Sequence, residues 1–251
     1  METKISVKIN GASYPAEAGE YLLAVARRGR VPIPTLCHHD GLPGQGCCRV
    51  CLVEVADNGR AKIVTACVYP VTDGLEVFTD TDRVKEVRRR NLALLSLRAP
   101  GAERVRQLCA LYKVPDDGRF EAMVGERCIL CGLCARACLS LGTGAISTVN
   151  RGVTKKIAPP YEEPPESCIG CGSCAASCPT NAIPMKQTPE TRAIWGRVFA
   201  MRRCAQCGEP FTTEEAARHA SRLTGQDAAT SCPRCRQGEI GRAMRDVYGR
   251  P

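Results

Sequence analysis

CILCGLCARAC, residues 128–138, returns as CIGCGSCAASC at residues 168–178, each cysteine displaced by 40 positions. The flanks repeat as well: Ala145-Ile146 follows the first copy and Ala182-Ile183 the second. In each copy three cysteines stand in two tight steps and a fourth lies beyond a further turn of chain. Three thiolates at that spacing can face three corners of one four-iron cube, while the fourth points away. In a duplicated run each fourth cysteine is free to ligate the other cube. Cys128, Cys131, Cys134 and Cys178 are therefore expected to hold one 4Fe–4S cluster. Cys138, Cys168, Cys171 and Cys174 are expected to hold a second. Gly132, Gly170 and Gly172 let backbone N–H groups approach the sulfurs, where they tune potential. The copies differ just after the motif, where Leu139 stands in place of Pro179; the turn changes but no ligand is lost.

The chain has 18 cysteines in 251 residues, enough for either a disulfide framework or metal ligation. Disulfide-rich chains are typically short, secreted and led by a signal peptide. This chain starts METKISVKINGASYPAEAGE, which is polar and alternating and has no apolar leader region. No apolar run reaches the roughly 18 residues that a membrane span needs. The cysteines also cluster in CxxC steps, so metal ligation is expected, together with a reducing compartment, the cytoplasm. The formal charge of +9, from 35 Lys+Arg against 26 Asp+Glu, would ordinarily point to nucleic acid or an anionic membrane. However, metal-bound cysteines are thiolates. Four sites of four thiolates, at roughly −2 each with their metal, contribute about −8 and leave the loaded protein near +1. Much of the basic excess is therefore read as compensation for anionic clusters. Aromatic residues make up only 4%, so the cysteine-rich segments have weak cores of their own. Without metal, the chain is expected to be largely unfolded beyond its first domain.

A different cysteine spacing governs the N-terminal part: Cys37, Cys48, Cys51 and Cys67, separated by 10, 2 and 15 residues. Four thiolates on one long loop and the strand after it suit a two-iron rhombus, so these residues are expected to hold a 2Fe–2S cluster. Around them the pattern predicts a strand at 4–9 ending in the Asn10-Gly11 turn and a short helix over 20–28. An irregular loop follows at 32–50, then strands at 52–55, 62–68 and 75–79.

PTLCHHDGLPGQGCCRVCLVEV (34–55) and TACVYPVTDGLEVFT (65–79) resemble the 2Fe–2S domain at the start of the large iron–sulfur subunit of respiratory complex I. They are similar, too, to the diaphorase iron–sulfur subunits of NAD-reducing hydrogenases and formate dehydrogenases. The resemblance covers about residues 1–98, or about 1–190 with the two-cluster module, and it implies a β-grasp ferredoxin fold for the first domain. The spacing departs from the plant-type pattern with four residues between the first two ligands. Many members of that family hold a further 4Fe–4S cluster on a His-x3-Cys-x2-Cys-x5-Cys stretch after the first domain. Here residues 80–127 contain no histidine and only Cys109, so that cluster is expected to be missing. Two helices, from Thr81-Asp82 to about Arg98 and over 102–113, are expected to fill the gap as a spacer.

CAQC at 204–207 and CPRC at 232–235 face each other across 24 residues. Two such knuckles give a tetrahedral thiolate site, and Cys204, Cys207, Cys232 and Cys235 are expected to hold structural zinc. A rubredoxin-like iron and a further Fe–S cluster are the alternatives. Beyond the last cysteine, 236–251 reads as a short basic helix.

Some residues take a plainer reading. Cys47 is the poorer ligand beside Cys48, and Cys109 lies on an apolar helix face as a buried thiol. His38, His39 and His219 read as surface groups, and Arg88-Arg89-Arg90 as a solvated helix face. Gly41, Gly44 and Gly46 follow no strand and open no helix, so they form no dinucleotide loop.

The expected architecture is α+β. A 2Fe–2S β-grasp ferredoxin domain (1–80) is followed by a helical spacer (81–118). A bacterial-type two-4Fe–4S ferredoxin module (119–195) and a zinc-ribbon-like domain with a basic tail (196–251) complete it. No catalytic constellation, phosphate loop or flavin fingerprint appears. The chain is expected to relay single electrons inside a multi-subunit soluble oxidoreductase. The resemblance implies a flavin-containing NADH-dehydrogenase-like subunit on one side, and a hydrogenase, formate dehydrogenase or other reductase on the other. A free-standing polyferredoxin is the main alternative, distinguished by whether partners co-purify. A redox sensor binding nucleic acid is a lesser one, distinguished by salt-dependent binding; no nucleic-acid partner and no membrane insertion are expected.

Overall fold

The computed structural model describes residues 4–57, 59–115 and 118–248. They form two compact units. The first takes the chain up to Arg136 together with Ser177–Ala182, and the second takes Ala137–Ala176 together with the chain from Ile183 onward.

In the first unit, β1 (Lys4–Ile9) and β2 (Ala12–Glu17) pair antiparallel. Their turn, Asn10-Gly11, has both residues at positive φ, the twist that suits a two-residue hairpin. α1 (Leu22–Arg28) follows, then the cysteine loop, then β3 (Leu52–Asp57), β4 (Arg60–Thr65) and β5 (Glu76–Phe78). The sheet order is β2-β1-β5-β3-β4, with β1 parallel to β5 and the other pairs antiparallel. Alternate residues Val7, Ile9, Val53, Val55 and Val77 face α1, whose Leu22, Leu23, Val25 and Ala26 are fully buried against them. The strand predicted over 62–68 stops at Thr65. Ala66–Val68 instead form a single 3-10 turn, with Ala66 N–H bonded to Cys51 O at 3.0 Å, and this turn brings Cys67 beside Cys51.

α2 (Asp82–Arg98) starts where Thr81 predicts, the Thr81 hydroxyl accepting from Val84 N–H at 3.2 Å. α3 (Glu103–Leu111) packs beside it. The pair does more than separate two domains. Leu92, Val105 and Leu108 share one core with Leu36 and Val50 of the first cysteine loop and with Ile129 and Leu133 of the next. Arg88 corrects the sequence reading: it is 2% exposed and not a solvated residue.

α4 (Leu133–Ser140) carries Cys134 among the first unit's residues and Cys138 among the second's. In the second unit, β6 (Ser147–Val149) and β7 (Lys156–Ala158) make a small hairpin, and α5 (Ser173–Ala176) follows the second cysteine loop. β8 (Met185–Gln187), β9 (Thr191–Ile194), β10 (Arg197–Arg203) and β11 (Pro210–Thr213) form an antiparallel sheet in the order β11-β10-β9-β8. This sheet runs on either side of residue 195. α6 (Glu214–Thr224) is capped by Thr213 and stops at Gly225, whose φ of +67° ends the helix. α7 (Pro233–Tyr248) opens on Pro233, one residue after Cys232.

Candidate iron–sulfur and metal sites

The 32–51 loop is irregular and polar, yet Cys37, Cys48, Cys51 and Cys67 are all buried. Their sulfurs converge. The Cys47, Cys48 and Cys67 thiols all hydrogen-bond toward Cys37, which lowers the Cys37 pKa. The same contacts raise Cys47, Cys48 and Cys67. The Cys67 thiol also holds Cys51 at about 7. A nest in which one sulfur gathers its neighbours' protons cannot become four thiolates without cations to neutralise them. Its donor set therefore fits an iron–sulfur group. The loop closes tightly around it: a Cβ on Gly44 would stand 2.6 Å from Cys67 O. His38 and His39 serve the loop itself, His38 Nε2 meeting Asp40 at 3.0 Å and His39 Nδ1 accepting from Gly41 N–H at 3.1 Å.

Arg88 supports this loop from beneath. Its guanidinium donates to Val50 O at 3.1 Å, Leu52 O at 2.6 Å and Thr79 O at 3.3 Å. Its charge also lies over the Tyr112 ring, 5.0 Å from the centroid. Among the described residues no carboxylate forms an ion pair with it.

Cys128, Cys131, Cys134 and Cys178 all fall in the first unit, three from one repeat and one from the other. Burial raises Cys131 to about 11 and Cys134 to about 12, and the nearby Cys178 adds to the rise in both and in Cys128. Leu130 N–H points at Cys128 Sγ (3.4 Å) and Ala182 N–H at Cys178 Sγ (3.3 Å). This loop and the 32–51 loop touch. Cys47 Sγ reaches Cys131 O at 3.4 Å, and Arg136 donates to Cys37 O at 3.2 Å and to Pro43 O. Cys47 also stands beside Cys37, but it is more exposed than Cys48 and reaches a carbonyl of the neighbouring loop. Cys47→Ser is accordingly expected to keep the 2Fe–2S signal in EPR spectra of the reduced protein, whereas Cys48→Ser is expected to lose it.

Cys138, Cys168, Cys171 and Cys174 fall in the second unit. Burial raises Cys168, and it raises Cys174 to about 11; Cys138 and Cys171 add to both. Ala145 N–H reaches Cys138 Sγ at 3.2 Å, the counterpart of the Ala182 contact in the first unit. The rest of this site has no such counterpart. Arg192, 8% exposed, donates to Gly170 O at 2.9 Å and Cys171 O at 2.8 Å. Arg197 donates to Pro165, Glu166 and Cys168 carbonyls at 2.7–2.9 Å. Trp195 Nε1–H points at Cys174 Sγ, 3.4 Å away. The β9–β10 turn is Trp195-Gly196, both at positive φ, and this conformation sets the indole over the cysteine. Phe199 covers the loop so closely that a Cβ on Gly170 would lie 2.5 Å from its ring. The sequence reading missed the parts played by Arg192, Trp195 and Arg197. The available signal was a Trp-Gly turn between two alternating runs, holding the chain's one tryptophan.

Cys204, Cys207, Cys232 and Cys235 place their sulfurs within 4.8 Å of one another, and Cys207 and Cys232 Sγ are 3.9 Å apart. A tetrahedron with metal–sulfur bonds of about 2.3 Å has edges of about 3.8 Å, so the set fits a single ion. Among the described residues no other group of three or more such donors closes so tightly. Backbone N–H groups of Cys232 and Cys207 pull Cys204 down to about 6, leaving one sulfur ready as thiolate. Donating its thiol proton toward Cys232 and Cys207 pushes Cys235 up to about 12. His219 is only half-exposed, with Nε2 on Leu141 O at 2.7 Å. Cys109 reaches Leu92 O at 3.7 Å, and burial raises its pKa.

Residues 2–82 match the 2Fe-2S iron-sulfur cluster binding domain family, and residues 162–183 match the 4Fe-4S binding domain family. The chain is thus a mixed α/β iron–sulfur protein with domains of both ferredoxin types. It is 30% identical over 230 residues to an NADH-quinone oxidoreductase subunit of Rhizobium meliloti (strain 1021), covering 81% of this chain and 27% of that one. It is 31% identical over 228 residues to NADP-reducing hydrogenase subunit HndD of Solidesulfovibrio fructosivorans, covering 78% of this chain and 38% of that one. Among solved structures, a chain of an NAD+-reducing [NiFe]-hydrogenase in the H2-reduced state superposes with a TM-score of 0.54 at 28% identity. That match covers 62% of this chain and 74% of the other. The resemblance carried by residues 34–79 to NADH-oxidoreductase and hydrogenase iron–sulfur subunits is shown by these matches. The chain spans about a third of the length of the curated relatives it matches. Among the described residues, no helix is long and apolar enough to cross a membrane.

Proposed function

We propose that this chain is an electron-relay subunit of a multi-subunit oxidoreductase, with one 2Fe–2S cluster, two 4Fe–4S clusters and one structural zinc ion. The observation that carries the reading is the junction inside the first unit. The loop of Cys37, Cys48 and Cys51 meets the loop of Cys128, Cys131 and Cys134 through Cys47, Arg136 and a shared apolar core. Iron–sulfur groups held there supply one-electron chemistry. The chain's own part is to hold each group by thiolates, keep water from the buried sulfurs and fix adjacent sites in contact. The strand order β2-β1-β5-β3-β4 around α1 supports a β-grasp first domain. The swapped ligand sets agree with the membership of the two units.

The resemblance carried by residues 34–79 suggests the candidate partners. One is a flavin-containing NADH-dehydrogenase-like subunit; the other is a hydrogenase, formate dehydrogenase or another reductase. Free thiolates of this number require a reducing compartment, which supports a cytoplasmic protein. The four C-terminal cysteines are read as a zinc ribbon in which one knuckle opens α7.

Metal analysis of anaerobically purified protein is expected to give roughly ten iron and one zinc per chain. A count near fourteen iron without zinc overturns the zinc assignment. Stoichiometric co-purification of subunits with the untagged protein supports the complex. Isolation without partners favours a free-standing polyferredoxin.

A further inference from the structure

We propose that the second unit's four-iron site, on Cys138, Cys168, Cys171 and Cys174, is the more electron-accepting of the two cubane sites, because Trp195, Arg192 and Arg197 surround it. This rests on the reading of two 4Fe–4S clusters given above. Both sites carry the same duplicated cysteine pattern and share the same local donors. In each, the N–H of an alanine reaches the exchanged cysteine, Ala145 to Cys138 at 3.2 Å and Ala182 to Cys178 at 3.3 Å. In each, a threonine hydroxyl stands by that same sulfur, Thr143 at 3.1 Å and Thr180 at 3.6 Å. These matched contacts largely cancel when the sites are compared. What differs is the wider environment.

The potential of such a cluster rises with hydrogen bonds to its sulfurs, with nearby positive charge and with exposure to water, since each favours the more negative, reduced state. At the second site, Trp195 adds an N–H on Cys174 Sγ at 3.4 Å. Arg192 and Arg197 place two guanidinium groups on the carbonyls of residues 165–171. Arg192 is buried, and its side-chain partner is the neutral amide of Gln187, at 2.7–2.9 Å. Its charge is therefore directed at the site and not spent on a carboxylate. At the first site, Arg136 directs its guanidinium to the carbonyls of Cys37 and Pro43 in the other loop, and Arg98, whose charge acts on Cys128, is offset by Glu126 at 3.7 Å. Glu126 itself is tied to Cys128 N–H at 2.8 Å, which places a negative charge beside that ligand. Exposure adds to the difference: two ligands of the first site are buried, Cys131 and Cys134, against one of the second, Cys174. Of the two four-iron sites, the one in the second unit therefore takes an electron first. Each site takes one electron and no proton.

The test is an EPR-monitored titration of the purified protein with dithionite, for the native chain, Trp195→Phe and Arg192→Gln. The two 4Fe–4S steps are expected at separate potentials. Trp195→Phe should move only the higher step, to lower potential, with iron content unchanged. Arg192→Gln should move the same step the same way. The proposal is overturned if either variant moves the lower step, or if Trp195→Phe moves neither. Iron content separates this from the parent reading: a native protein with fewer than two four-iron clusters removes both. Two intact clusters with an unmoved higher step in Trp195→Phe remove only the inference.

Discussion

Cys178→Ser is expected to abolish the four-iron cluster held mainly by the other repeat. Cys178 belongs to the run 168–178, but it falls with Cys128, Cys131 and Cys134 in the first unit, where it adds to the raised pKa of all three. Its loss leaves three sulfurs of that site without a fourth, while Cys168, Cys171, Cys174 and Cys138 keep theirs. The iron content should fall from about ten to about six, and the EPR signal that disappears should be the one untouched by Trp195→Phe. Cys138→Ser should give the mirror result. If the ligands are not exchanged, each serine variant removes the cluster of its own repeat, so the two readings predict opposite surviving signals. The damage should extend beyond iron. Cys131, Ile129 and Leu133 share a core with Leu92, Val105 and Leu108, so the loss of metal should also loosen α2 and α3. A lower unfolding midpoint, followed by far-UV circular dichroism, checks this.

How much of this was legible in the sequence depended on the range of the forces involved. Cysteine spacing is a local signal, and the four proposed ligand sets were read from it. The helix at 82–98 was equally plain, because Thr81 caps it and Ala99-Pro100-Gly101 breaks it. The strand expected to reach Val68 was overdrawn, because the need to turn Cys67 toward Cys51 is a tertiary demand that outweighs a β-forming run. The arginines were the hardest to read. Three in a row at 88–90 look like a solvated face, and only the fold shows that Arg88 points inward. Arg192 sits in an alternating strand and looks like any surface position until the 168–174 loop is laid against it. What these two side chains satisfy are backbone carbonyls far away in sequence, and such partners leave no trace in a local pattern.

Arg88→Met should be the most damaging single change outside the cysteines, because Arg88 has two roles in one place. The first is structural. The guanidinium fork serves the carbonyls of Val50, Leu52 and Thr79, two of which flank Cys51. A buried carbonyl stripped of its donor costs about 1–3 kcal/mol, so a thioether of similar size should destabilise the first unit by about 3 kcal/mol or more. The second is electrostatic. Burial lowers the Arg88 pKa, and Tyr112, Asp80 and Cys51 act against that fall, yet no carboxylate among the described residues forms an ion pair with it, so a further anion nearby favours the buried cation. The thiolates around Cys51 supply one when they hold iron. Arg88→Met should therefore also lower the potential of the 2Fe–2S centre, since removing positive charge disfavours the reduced state. Arg88→Lys separates the two roles. An ammonium keeps the charge but cannot reproduce a planar fork across three carbonyls. That variant should recover most of the potential and little of the stability. Denaturant unfolding and an EPR redox titration of the same three proteins would read the two effects independently. Equal loss of both in Arg88→Lys and Arg88→Met would show that Arg88 acts through packing alone. The expected split would show that the first unit answers its cluster's charge as the second does through Arg192, with a buried arginine on the carbonyls beside a ligand.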